Sequence, residues 1–175
     1  MIRPRFAVLT GMIFAAAAAR LIPHPPNFTP IAALALFGGA HFADKRLAFA
    51  VPLAALLLSD AALGFYPGMP AVYVSFALVV VLGLGLRRRH APLPIAGAAL
   101  AGSVLFFLLT NFAVWSAGGL YPRTAAGVAE CYIAAVPFFG HTVAGDLFFT
   151  AVLFGGFALM QKRWPVLGGT SPTPA

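Results

Sequence analysis

Long apolar runs separated by short polar, basic or Pro/Gly-rich breaks dominate the chain. A bilayer core of about 30 Å takes roughly 20 apolar residues per helix. Six runs meet or approach that length, at residues 6–22, 29–42 (short), 47–65, 71–86, 93–117 and 137–160, with room for a short helix at 125–135 before the last. The pattern predicts an all-α integral membrane protein, a bundle of six transmembrane helices over residues 1–165. A Gly/Ser/Thr/Pro-rich tail at 166–175 is expected to be disordered.

Composition narrows the class further. Apolar residues make up 61% of the 175 and charged residues only 9%, against about 25% charged in a soluble domain. A soluble enzyme, a disordered chain and a disulfide scaffold are thereby excluded. The net charge of +7 is no nucleic-acid signal, because the cations cluster between apolar runs instead of covering a face. Arg3 and Arg5 precede the first run, Lys45 and Arg46 follow the second, Arg87, Arg88 and Arg89 the fourth, and Lys162 and Arg163 the sixth. With six crossings these nine of eleven cations share one side, and only Arg20 and Arg123 fall on the other. The positive-inside bias then puts both termini in the cytoplasm, the expected location being the cytoplasmic (inner) membrane. The basic start and the alanines at 15–19 also fit a cleavable signal peptide, which would leave five spans.

The connections opposite the basic ones carry the chemistry. Pro23, Pro25, Pro26 and Pro30 forbid a helix in the first and make it a stiff extended loop, with Asn27 or Thr29 available to cap the next helix. The second, around Tyr66 and Pro67, is a tight turn. Phe28, Phe65, Tyr66, Tyr73, Trp115, Tyr121 and Tyr132 gather at this level, either as an interfacial belt or as walls of a ligand pocket. Asp60, Thr110, Asn111, His141 and Asp146 lie inside the runs but in the same half. A carboxylate at membrane depth costs about 2.5–3.5 kcal/mol and normally has a partner facing the bundle interior. For Asp60 the bland alternative is a helix-end group reaching water. For Asp146 it is a structural pair with His141 or Asn111. Cys131 with His24 and His141 offers metal-ligand chemistry, but the spacing supports no metal site and none is assigned. No cofactor is expected either. Gly38, Gly39 and Ala40 suggest close helix packing, and Ala7, Gly11, Ala15 and Ala19 form a small-residue stripe.

These features together resemble the substrate-binding S components of energy-coupling-factor (ECF) vitamin transporters, in which an Ala-x-x-x-Ala motif on the first helix docks on a coupling subunit. Ala15 and Ala19 match it here, with Gly11 one step earlier. Six stretches also resemble a family of uncharacterised bacterial membrane proteins provisionally described as transport proteins. They are 20–30 (RLIPHPPNFTP), Ser59-Asp60, 110–115 (TNFAVW), Tyr121-Pro122, Cys131-Tyr132 and 137–139 (PFF), and the likeness covers about residues 6–163. The resemblance implies a non-enzymatic subunit that binds a micronutrient in an outward-facing pocket and works with a coupling subunit and two ATPases. One S-component family ligates a corrinoid's cobalt through a cysteine, which with Cys131 makes a corrinoid or another vitamin a ligand to consider. The expected lining is His24, Asn27, Phe28, Asp60, Tyr66, Asn111, Trp115, Glu130, Cys131, Tyr132, His141 and Asp146. The alternatives are a scaffolding subunit of a larger membrane complex, and a membrane enzyme using Cys131, His141 and Asp146.

Overall fold

The structure, a computed structural model, describes residues 4–89 and 91–168, so Arg3 and most of the predicted tail lie outside the described residues. Helix α1 (Pro4–Ala18) ends in a 3-10 turn (Ala19–Leu21) and is followed by α2 (Ile31–His41), α3 (Lys45–Leu63), α4 (Met69–Gly85) and α5 (Pro92–Ala117). Helices α6 (Ala125–Thr150) and α7 (Gly156–Arg163) are joined by a π-helical turn (Ala151–Gly155). A last 3-10 turn (Pro165–Leu167) buries Leu167, so packed structure runs slightly past the expected domain end at 165. Among the described residues there is no strand.

Four helices are long and apolar enough to cross a membrane: Pro4–Leu21, Lys45–Leu63, Pro92–Ala117 and Ala125–Arg163. Two shorter apolar helices, α2 and α4, accompany them. With 11 residues and a rise of about 1.5 Å per residue, α2 is only about 16 Å long, well short of a hydrocarbon core of about 30 Å. The region expected to hold a short helix and a separate last span is instead one rod of 39 residues. Pro137 sits inside it on an exposed face, and membrane helices tolerate a missing amide donor there because local adjustment re-satisfies the freed carbonyl.

Every residue of α2 is buried, which is the expected fate of a helix that is apolar all round. Helices α1, α3, α4, α5 and α6 pack around it. Its glycines are what allow the close fit. A Cβ on Gly38 would overlap the Pro52 ring of α3, and one on Gly39 would overlap Val80 O and lie 2.9 Å from Gly83 Cα on α4. Association of helices in lipid rests on such packing, since lipid tails are as apolar as the core. The outer surface is correspondingly apolar, with Leu57, Leu58, Val81, Leu108, Phe112 and Phe148 exposed.

The two ends of the bundle differ in charge. At one end, Arg5 donates from Nη1 to Leu167 O (2.7 Å) and from Nη2 to His41 O (3.3 Å), with its guanidinium 5.3 Å from the Phe157 ring centroid. There Arg87 donates from Nε to Gly39 O (3.2 Å) and from Nη2 to Phe42 O (2.6 Å). Both cations therefore serve carbonyls at the C-terminus of α2, where the partial negative charge of a helix collects. The His41 ring packs among Phe37, Phe154 and Phe157 at the same end. Arg87→Ala should cost about 2 kcal/mol, the value of hydrogen bonds to a charged donor, read as a shift in the SDS-unfolding midpoint. Arg88→Ala, at an exposed neighbour, should leave that midpoint unmoved.

A candidate ligand cavity at the Arg20 end of the bundle

The 3-10 turn after α1 buries Arg20 at the opposite end of the bundle from Arg5 and Arg87. The chain then crosses the mouth of the bundle through the proline-rich segment. Phe28 N donates to Pro25 O (3.1 Å), closing a β-turn with Pro26 and Asn27 at its centre. Asn27 has φ 62°, a left-handed conformation that asparagine tolerates better than most residues, and Pro26 before it favours this turn. Gly145 on α6 lets the loop sink against the bundle, since a Cβ there would lie 3.1 Å from both Phe28 Cα and Thr29 N. The Phe28 ring anchors the loop on Phe148 and Phe149, at centroid separations of 5.8 and 5.7 Å. Neither Asn27 nor Thr29 caps α2: its N-cap is Pro30 and no side chain bonds the first-turn amides.

Beneath this loop lies a cavity of about 850 Å³ bounded by Arg20, the loop, the first turn of α2, the α3–α4 turn, the second half of α5 and the middle of α6. Its walls are mainly apolar and aromatic, through Tyr66, Phe106, Phe107 and Phe138. Polar groups are few: Arg20, Asn27, Thr29, Thr110, Asn111, Thr142 and Asp146. This mixture, an apolar chamber with a small number of polar groups, is the usual make-up of a small-molecule site.

Arg20 is held from behind. Its Nη2 lies 2.7 Å from Asp60 Oδ1, and its Nη1 donates to Ser59 Oγ. Tyr73 OH donates to Asp60 Oδ2 (3.0 Å), and Ser59 Oγ donates to Leu56 O (2.8 Å). Asp60 is 0% exposed and Arg20 8%, so the bland expectation of Asp60 as a helix-end group in water is overturned. A buried carboxylate needs a cation, and Arg20 is the one within reach. Tyr66, in the α3–α4 turn, has its phenol pushed above its ordinary value by burial, then by the Asp60 charge, with Arg20 opposing. It stays protonated through neutral pH and keeps an O–H donor on the cavity wall.

On the far wall Asp146 is 4% exposed. Its Oδ2 accepts from Ser103 Oγ on α5 (2.6 Å). The expected pairing of Asp146 with His141 or Asn111 is not formed. His141 lies five residues earlier on the helix and is exposed, while the Asn111 amide donates to Phe107 O (2.8 Å).

Four of the twelve expected lining residues therefore face the cavity: Asn27, Tyr66, Asn111 and Asp146. Asp60 and Phe28 stand one layer behind it, one holding Arg20 and the other the loop. The remaining six lie elsewhere. His24 is exposed, with Nδ1 3.0 Å from Pro25 O, and Glu130 is exposed on α6. Trp115 Nε1 donates to Pro122 O (3.1 Å), tying α5 to the following loop. Cys131 and Tyr132 lie on the α5–α6 seam, the thiol 3.5 Å from Asn111 O and the phenol donating to Leu108 O (2.7 Å). His141 faces outward. Cys131, His141 and Asp146 share one helix, and the fifteen-residue step from the first to the last is about 22 Å along the axis, so they form no catalytic cluster. Among the described residues no group of His, Cys, Asp or Glu is arranged to hold a metal. Arg20, Ser103, Phe106 and Phe107 were not singled out as site residues from the sequence. Arg20 had a signal: it is one of only two cations opposite the basic end, and Asp60 lies at the same level.

On the outside of α1, Gly11 and Ala15 are exposed and Ala19 is half-buried, and a Cβ on Gly11 would meet nothing within 4 Å. The small-residue stripe thus faces away from the bundle.

Four apolar helices of spanning length, packed with two shorter ones, are compatible with a multi-pass membrane protein. The chain belongs to a family of unknown function (DUF6580), which matches residues 1–167. No curated protein and no solved structure matches it.

Proposed function

We propose that the protein is the ligand-binding subunit of a small-molecule uptake system in the cytoplasmic membrane of a bacterium. The observation that carries this reading is the cavity of about 850 Å³, within the range of roughly 300–1,000 Å³ typical of small-molecule sites. In this reading the chain crosses six times, α2 and its extended loop serving as one crossing. The basic end of the bundle faces the cytoplasm and the cavity opens outward beneath the 20–30 loop. The ligand is a micronutrient with a flat ring, stacked on Phe106, Phe107 or Tyr66 and oriented by Asn27 and Asn111. The outward stripe of Gly11, Ala15 and Ala19 is the docking face for a coupling subunit of the ECF type, whose two ATPases would drive release inside. A scaffolding role needs no such chamber.

Mass spectrometry of small molecules that co-purify with the detergent-solubilised protein tests this directly. One stoichiometric compound is expected. Ala135→Trp, which fills the cavity wall, should abolish its recovery while membrane insertion and expression persist. Equal recovery from the plugged variant, or no enriched compound from either protein, would refute the assignment. Gly11→Leu should leave binding intact and reduce only coupled uptake in cells.

A further inference from the structure

We infer that the cavity recognises its ligand through a positively charged amine, with Asp146 as the counter-charge. The inference rests on the cavity being a ligand site and adds the chemical class of what enters it. Asp146 is nine-tenths buried, lines the cavity and has one side-chain partner among the described residues, the neutral Ser103 hydroxyl. A carboxylate in such a place is stable when a cation shares it. None of the chain's described cations does. Arg20 is the other charge on the cavity wall, and it is taken up by Asp60 and Ser59. Arg5 and Arg87 are bound at the opposite end of α2. The first turn of α2 borders the cavity without a side-chain cap, but it contributes a partial charge only.

The surroundings select the kind of cation. A small metal ion takes most of its ligands as oxygens, whereas Phe106, Phe107 and Phe138 line the same cavity as Asp146, and among the described residues no group of His, Cys, Asp or Glu is arranged to hold a metal. A cavity with aromatic walls and one carboxylate that no cation answers suits an organic ammonium, whose N–H groups reach the carboxylate while its apolar body packs on the rings. Arg20 and Asp60, already paired, leave the rest of the chamber close to neutral. The ligand is therefore a cationic amine on an apolar or aromatic body.

The test uses the full chain in lipid nanodiscs and three indole probes of similar shape: tryptamine (an ammonium), tryptophol (a neutral alcohol) and indole-3-propionate (a carboxylate). Tryptamine should bind at least about tenfold more tightly than tryptophol, and indole-3-propionate most weakly. Asp146→Asn should bring tryptamine down to the level of tryptophol and leave tryptophol unchanged. Ser103→Ala, which keeps the charge, should keep the preference, with a thermal melt reporting that each variant is folded. Tryptophol binding as well as tryptamine, or a preference that survives Asp146→Asn, would overturn the inference while leaving the cavity a ligand site. Failure of all three probes to bind more to the wild type than to Ala135→Trp would overturn both.

Discussion

Arg20→Ala should destabilise the protein by about 3–5 kcal/mol, the range for removing one partner of a buried ion pair. Asp60 would be left with the Tyr73 hydroxyl alone, at a position fully shielded from solvent. Losing Arg20 also frees the Ser59 hydroxyl on that side and slackens the junction of α1 with α3, which Arg20 bridges. The loss belongs to the stranded carboxylate more than to the pair itself. Arg20→Met combined with Asp60→Leu and Tyr73→Phe removes the stranded carboxylate and its phenol partner, and the Ser59 hydroxyl keeps its bond to Leu56 O. That triple variant should be markedly more stable than Arg20→Ala alone. SDS or thermal unfolding in a fixed detergent gives both numbers. A neutral Arg20→Ala, or a triple variant worse than the single one, would mean that the pair does not hold the two helices together.

Gly83→Val should cost more than about 3 kcal/mol, beyond the usual 1–3 kcal/mol of core overpacking. The reason is what a side chain would meet. At Gly83 a Cβ would overlap Leu36 O and lie 3.0 Å from Gly39 Cα, so backbone faces backbone and no rotamer change relieves the clash. The helices would have to separate, and α2 is the element around which the others pack. Loss of folded protein in size-exclusion chromatography is the extreme form of this result. Gly97→Val is the control. Nothing lies within 4 Å of a Cβ at Gly97 on α5. That change should be neutral or stabilising by up to about 0.5 kcal/mol, because valine is a somewhat better helix residue than glycine. Equal behaviour of the two variants would show that the α2–α4 crossing is not close-packed.

A third of the expected lining falls on the cavity, and it does so because polar groups are so scarce in this sequence. Asn27, Tyr66, Asn111 and Asp146 stood out against an apolar background, and all four line one chamber. Glu130, Tyr132 and His141 lie on other faces of the helix, and level along the chain does not give the face, whereas Cys131 shares the face of Ala135 but stands one turn beyond the cavity. In a soluble helix the polar side marks the outside. In lipid both sides are apolar, so the stripe that would orient α6 is missing. The rod has its cavity-facing residues at Ala135, Phe138, Thr142 and Asp146, spaced three or four apart as one helical face requires. Cys131 and Tyr132 meet the α5 backbone.

The chain alone determined that the fold is all-helical, where most of its apolar helices lie, and that its glycines allow a close helix crossing. Those properties follow from local composition and from the length that a bilayer imposes on a helix. Tertiary structure decided which of α2's neighbours its glycines meet, that Arg20 answers Asp60 across 40 residues, that Asp146 receives only a serine, and that 125–163 is one rod. Each of these depends on which helix face turns inward and on contacts between residues far apart, for which an apolar sequence in an apolar solvent carries almost no record.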